Sequence, residues 1–261
     1  MFSHESRCLY RAHQLADVIC QLRFPEILSI STELPAQFQE AIRDEFPLFS
    51  QRKEAPAPKI TGIPGQMTLE NQKPTVNYIF ASADNVWRVN LTSKFISLSC
   101  NRYPGWEEFA HRLDKPLAAF IQIYKPAFFE RVGLRYLNFI SRYALGLEGV
   151  PFRELFQPAY LGLWGEDDVQ ETGIHRATVD ADLAIRGGCR AKIHAGPGMV
   201  QRGNQRDNEL KFIFDQDLYM TGQLPVNLSA GALQTLHAQA YPIFRGAITD
   251  KLHNAMDPEL P

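Results

Sequence analysis

The stretch RVGLRYLNFI (131–140) decides how this chain is read. Val132, Leu134, Tyr136 and Ile140 alternate with Arg131, Gly133, Arg135, Leu137 and Phe139, so in an extended chain the two sets point to opposite faces. Two arginines on one side of an otherwise apolar run fit a half-buried strand, in which one face packs on a core and the other meets polar surroundings. The same arrangement occurs in the first half. In ADVICQLRF (16–24), Val18, Cys20, Leu22 and Phe24 point one way and Asp17, Gln21 and Arg23 the other, and Leu22-Arg23-Phe24 stands where Leu134-Arg135-Tyr136 stands.

Working outward, LPAQFQEAIRDEF (34–46) repeats apolar residues every four positions between two prolines and predicts an amphipathic helix. QRKEAPAPK (51–59) is polar and proline-rich and predicts a loop, with room for one more strand around 59–69. TVNYIF, VWRVNL and FISLSC (75–100) predict a meander, and Trp106 to Tyr124 a long helix containing Pro116. After the strand at 131 the order repeats. PFRELFQPAYLGLW (151–164) predicts a helix; IHRATVDADLAIR, RAKIHAG and ELKFIFDQDLYM (within 174–220) predict three strands; residues 228–253 predict one long closing helix containing Pro242.

The repeated β-α-β-β-β(-β)-α order predicts an α+β fold of two tandem helix-grip units, 1–126 and 127–261. They would share a pseudo-twofold, largely antiparallel, curved sheet with long helices on one face. That topology resembles the saddle of the TATA-box-binding protein, an analogy of fold alone.

Face assignment within the second half depends on the RGGC connection. A two-residue turn would put Leu183 with Lys192; a three-residue connection with a left-handed glycine sorts the faces cleanly. Val179, Ala181, Leu183, Ile185, Ala191 and Ile193 then face inward, as do Leu210, Phe212, Phe214, Leu218 and Met220. Asp180, Asp182, Arg190, Lys192, His194, Glu209, Lys211, Asp215, Asp217 and Tyr219 face outward with Arg131 and Arg135. The first half presents a neutral to mildly basic outer face: Gln21, Arg23, Asn77, Arg88, Asn90, Ser97, Ser99 and Asn101.

Composition narrows the function classes. With 27 basic and 29 acidic residues and a net charge of −2, the chain lacks the basic footprint of a non-specific nucleic-acid binder. Cys8, Cys20, Cys100 and Cys189 have no zinc-site spacing and predict a reduced, cytoplasmic protein. No run approaches the roughly 18 apolar residues of a membrane span, and MFSHESRCLYR lacks the apolar core of a signal peptide. G-x-S-x-G, H-E-x-x-H and G-x-x-x-x-G-K-[ST] do not occur. Trp87, Trp106 and Trp164 read as core, and HAGPGMVQRGNQRDN (194–208) as a hairpin loop. His237 and His253 lie too far apart on one helix to converge.

The combination of LRFP (22–25), IRDEFP (42–47), NRYPGWEEF (101–109), RVGLRYLNFI, FDQDLY (214–219) and LHAQAYPIF (236–244) resembles a sporadically distributed bacterial family of about this length, over residues 13–255. That family has no assigned biochemical function. The resemblance implies a bacterial cytoplasmic protein scattered as accessory genes are, in the manner of phage-defence or toxin–antitoxin systems, and it supplies no catalytic residue.

The leading expectation is therefore a non-enzymatic protein-binding module or accessory subunit, homo- or hetero-oligomeric and without cofactor. It would use the polar face or the edge of the sheet: Arg23, Arg88, Arg131, Arg135, Asp180, Asp182, Arg190, Lys192, His194, Asp215, Asp217 and Tyr219. The competing expectation is a metal-dependent enzyme on a phosphorylated or nucleotide substrate, with Asp180, Asp182, His194, Asp215 and Asp217 as ligands and His175 nearby. A third is nucleic-acid binding by the saddle.

Overall fold

Apolar alternation sets the strands. The computed structural model describes residues 2–54, 59–63, 66–70, 74–202 and 205–259. In chain order the elements are β1 (Leu9–Tyr10), β2 (Leu15–Arg23), α1 (Leu28–Thr32), α2 (Ala36–Ile42), β3 (Leu48–Glu54), β4 (Lys59–Ile63), β5 (Gln66–Glu70), β6 (Thr75–Ala81), β7 (Trp87–Leu91), β8 (Phe95–Cys100), α3 (Trp106–Tyr124), β9 (Phe129–Ile140), β10 (Val179–Ala184), β11 (Arg190–Arg202), β12 (Gln205–Leu224), α4 (Ser229–Ala247), α5 (Asp250–Ala255) and β13 (Pro258–Glu259). The fold is α+β.

Nine strands form one antiparallel sheet in the order β10-β11-β12-β9-β2-β8-β7-β6-β3. At its middle, β2 and β9 run antiparallel, with Gln21 opposite Gly133 and Arg23 opposite Arg131. From that line the strands follow the same succession outward: β2-β8-β7-β6 on one side and β9-β12-β11-β10 on the other. The two arginine-bearing strands are thus central neighbours. Two smaller pairings, β1 with β13 and β4 with β5, stand apart from this sheet.

One face of the sheet is dry. Val18, Cys20, Leu22, Val89, Ile96, Leu98, Val132, Leu134, Phe212, Phe214 and Leu218 are fully enclosed. Helices cover them: Phe24 meets Phe120 of α3, Trp87 meets Phe109, Phe80 meets Phe38 of α2, and Phe214 meets Phe244 of α4. α3 forms because Trp106, Phe109, Leu113, Pro116 and Phe120 make one apolar stripe and Glu107 and Glu108 sit favourably at its positive N-terminal end. Pro116 removes one backbone donor, yet the helix runs on to a left-handed cap at Lys125.

The structure corrects several sequence expectations. Residues 51–54, read as loop, belong to edge strand β3, which pairs with β6 from Leu48↔Ala81 to Glu54↔Thr75; charged side chains such as Arg52 and Lys53 are a common feature of an edge that must not recruit another chain. Residues 55–58 of that stretch lie outside the described residues. The strand sought around 59–69 is the separate β4–β5 hairpin. The helix read at 34–46 is confined to Ala36–Ile42, and α1 precedes it unannounced.

No α-helix forms over 151–164. Pro151 and Gln157, the residue before Pro158, hold extended backbone at ψ 150° and 145°, so the segment makes three short 3₁₀ turns, Phe152–Glu154, Pro158–Tyr160 and Gly162–Gly165. The closing helix is also two, not one. Ile248 is extended and bridges Phe156, Gln157 N–H donates to Ala247 O at 2.8 Å, and Thr249 N–H donates to Leu155 O at 2.9 Å. Thr249 then caps α5. The glycine-rich 194–208 stretch, read as a loop, is strand through Arg202 and again from Gln205.

The RGGC connection takes the predicted form. Arg186, Gly187 and Gly188 link Ile185 to Cys189, both glycines are left-handed (φ 74° and 71°), and Leu183 lies opposite Ala191.

Candidate functional site

The face of the sheet opposite the helices carries the charged residues singled out above. Four neighbouring strands alternate in sign: acidic β10 (Asp180, Asp182), basic β11 (Arg190, Lys192, His194), acidic β12 (Asp215, Asp217) and basic β9 (Arg131, Arg135). Arg135 holds Asp215 in a two-pronged bond, with Nε to Oδ1 at 2.7 Å. Arg131 Nη2 donates to both oxygens of Asp217 at 2.7 Å. Arg190 donates to Asp182 Oδ1 from Nη2 at 3.0 Å, and the Tyr219 hydroxyl donates to the same carboxylate at 3.2 Å. His194 Nδ1 lies 2.7 Å from Asp180 Oδ1.

Register explains the choice of partners. Arg131 stands directly opposite Arg23 on β2, and like charges so placed repel. Its side chain therefore turns along its own strand, crosses Gly133, stacks on the Tyr219 ring at 4.6 Å and reaches Asp217. A Cβ on Gly133 would sit 2.2 Å from Arg131 Nη1. Glycine is what the opening motif needs there. Replacing Gly133 with valine is expected to displace the guanidinium, the flexible end of a side chain, and to cost no more than about 1 kcal/mol in urea unfolding. In an Arg131→Ala background the cost should shrink; an equal cost would mean that the guanidinium is not the obstacle.

Salt bridges of this kind on a wet surface contribute about 0–1 kcal/mol each, so the array orders the face more than it stabilises the fold. Its electrostatic effect is visible locally. The bonds from His194 and from Arg190 hold the Asp180 and Asp182 carboxyls below their usual range, and the bond to Asp215 makes Arg135 harder to deprotonate. Asp17, on the same face, is pushed up by burial despite Arg88 and Arg135 nearby.

The face is a shallow depression of about 470 Å³ over Arg135, Asp182, Lys192, His194, Asp215 and Asp217. Not every candidate joins the paired lattice. Arg23, Arg88 and Lys192 are exposed and make no ion pair among the described residues; Lys192 lies over the Tyr219 ring at 6.0 Å. Arg23 on β2 and Arg88 on β7 lie in the first-half part of the sheet, away from the depression.

As a metal site the constellation is already engaged by protein: Asp182, Asp215 and Asp217 are each ion-paired with an arginine, and Asp180 is hydrogen-bonded to His194. Among the described residues no group of three or more His, Cys, Asp or Glu converges to hold an ion. His175 is not among the residues lining the depression.

Sequence reading missed a second set of polar residues, on the dry face. Asn138 and Gln216 occupy inward positions of β9 and β12 and are 4% and 3% exposed, and α4 brings His237 beside them, hydrogen-bonded to Tyr136. The available signal was the interruption of an apolar alternation by an amide on each of two strands. Trp87, Trp106 and Trp164 are buried, as core residues should be.

Among the described residues no helix is long and apolar enough to cross a membrane. No protein-family model matches the sequence, and no curated protein matches it.

Proposed function

We propose that the protein is a non-enzymatic binding module whose charged sheet face docks an acidic surface of a partner protein. The observation that carries the reading is the set of exposed cations on this face, Lys192 within the charged array and Arg23 and Arg88 farther along the sheet, which make no ion pair among the described residues while Asp182, Asp215 and Asp217 are each paired with an arginine. Such a face offers net positive charge at fixed positions, and complementary charge sets orientation and association rate more than raw affinity. The arginines, already held by their internal bonds, supply a residue type common at interface anchors. The likeness to scattered bacterial accessory proteins fits a subunit that works with neighbouring gene products, in a cytoplasmic setting.

The test is co-purification at native expression level, followed by a charge swap. The swap is Arg23→Glu with Lys192→Glu, which reverses two of the cations that carry the reading and leaves the internal pairs in place. Stoichiometric recovery of one protein from the wild type, at least tenfold reduced recovery with the swapped form, and unchanged melting of the swapped form is the expected result. Recovery of the protein alone as a stable monomer would overturn the reading. Nucleic acid is the second reading, since the same cations attract phosphate. It requires affinity that falls steeply with salt, and three cations give a shallow slope of about −3 in log–log terms.

A further inference from the structure

Between α4, the N-terminal segment and the dry face of β9 and β12 lies a cavity of about 280 Å³. Its walls are mostly apolar and aromatic, including Leu15, Ala240, Phe244 and Met256. Into these walls are set groups that a core ordinarily excludes unless they are satisfied. Among the described residues, Gln216 is 3% exposed and its Oε1 has no hydrogen-bond partner, and His237 is 8% exposed and its Nε2 has none. Other polar groups nearby are matched: Asn138 Nδ2 donates to Phe214 O at 3.3 Å, and Trp106 Nε1 donates to Gln234 Oε1 at 2.7 Å.

The orphans are held in place. Gln216 stands directly opposite Tyr136 across the β12–β9 ladder, so its side chain cannot leave the inner face without a slip of register. His237 is stacked flat on Trp106 with ring centres 4.3 Å apart and planes 5° apart, and its Nδ1 lies 2.7 Å from the Tyr136 hydroxyl. The ring is neutral at pH 7, because burial holds its pKa down at about 4. Of the two neutral tautomers, the one in which the Tyr136 hydroxyl donates to Nδ1 leaves the ring proton on Nε2, facing the cavity. The cavity thus presents an amide from one wall and an N–H donor from another.

A buried polar atom without a partner is costly, and two around one void are explained together by an occupant that meets them. We infer that this cavity binds a small, neutral cyclic amide or nitrogen heterocycle. An amide side chain carries a donor next to an acceptor, and whichever way Gln216 is turned its complement is a second donor–acceptor edge, as in a lactam. His237 Nε2–H then serves a further acceptor on the ligand, and the aromatic walls receive its ring. The volume lies near the lower limit of small-ligand pockets, which span about 300–1,000 Å³, so a single ring fits and a nucleotide does not. The site is on the opposite side of the sheet from the ion-paired array and does not depend on it.

The probes are 2-pyridone, uracil and nicotinamide, with toluene as a ring that lacks the polar edge. Titration of the full chain by calorimetry and ligand-observed NMR at pH 7 is expected to show millimolar or tighter binding of at least one amide probe, with toluene at least tenfold weaker. Gln216→Leu should weaken that probe about tenfold or more, and Ala240→Phe, which fills the void from α4, should abolish it. Should Gln216→Leu fail to fold, Gln216→Met and Ala240→Phe carry the same comparison. No binding by any amide probe, a cavity holding water only, equal binding of toluene, or unchanged affinity in the folded Gln216 variant would each overturn the assignment.

Discussion

Truncation of Phe212 to alanine is expected to cost about 3–5 kcal/mol. Phe212 is fully buried on the dry face of β12, stacked on Phe156 with ring centres 3.7 Å apart and tilted against Phe152 at 5.4 Å. Phe152 opens the first 3₁₀ turn and Phe156 lies between the first two, bridged to Ile248, so one ring ties an irregular segment to the sheet. Removing it opens a void against chain that is fixed by backbone bonds at Gln157 and Thr249 and cannot collapse to fill it. Urea unfolding of the variant measures the loss. A second measurement separates packing from local accident: Phe156→Ala and the double variant should be strongly non-additive, because each ring is the other's neighbour. A loss under about 1 kcal/mol would mean that the 3₁₀ segment does not rest on the sheet there.

The second large effect is a loss of stability in mild acid, centred on His237. Its folded pKa is about 4 against 6.5 for the free side chain, with burial as the main cause, Arg7 lowering it further and Glu107 opposing. Tyr136 and Trp106 face the same ring. A histidine whose pKa is depressed on folding binds its proton more readily when unfolded, so stability is intact above about 6.5 and falls as pH drops toward 4. The shift corresponds to about 3 kcal/mol. His13 and His253 are lowered too and act in the same direction, whereas Asp17, raised by burial, gains relative stability on protonation and acts against them. The carboxyls of Asp44, Asp84, Asp180 and Asp182 are held low and lose their contribution only at more acidic pH. Urea curves at pH 7 and pH 4.5 for the wild type and His237→Gln give the answer. The variant should lose distinctly less than the wild type over that interval; parallel losses would show that His237 is not the titrating group.

What could be read from the sequence followed where local pattern and tertiary environment agree. The alternation in RVGLRYLNFI and ADVICQLRF gives face and strand together because a half-buried strand writes its environment in period two. Edge strand β3 escaped because charge at Gln51–Glu54 serves an exposed edge and a loop equally well. The 3₁₀ segment escaped because its apolar spacing is set by where Phe152 and Phe156 must land on Phe212, and Pro158 forbids the helix that the spacing suggests. On the polar face, the alternating signs were legible from the strand pattern. That Asp215 and Asp217 go to Arg135 and Arg131, instead of to the nearer-looking Lys192, was not. That choice depends on the diagonal reach of arginine and on the opening left by Gly133. The cavity was illegible for a different reason: Gln216 and His237 are 21 residues apart in sequence and meet only because α4 crosses β12 where it does.

The β2–β9 pairing at the middle of the sheet makes each half of the chain depend on the other. Cut between α3 and β9, either piece would keep its own strands and helix but would bare its most apolar strand along one whole side. Each fragment would be driven to find a companion with the same exposed border, and a twin of itself would serve. In the joined chain that demand is met internally, because β2 and β9 cover each other along the whole of their shared border.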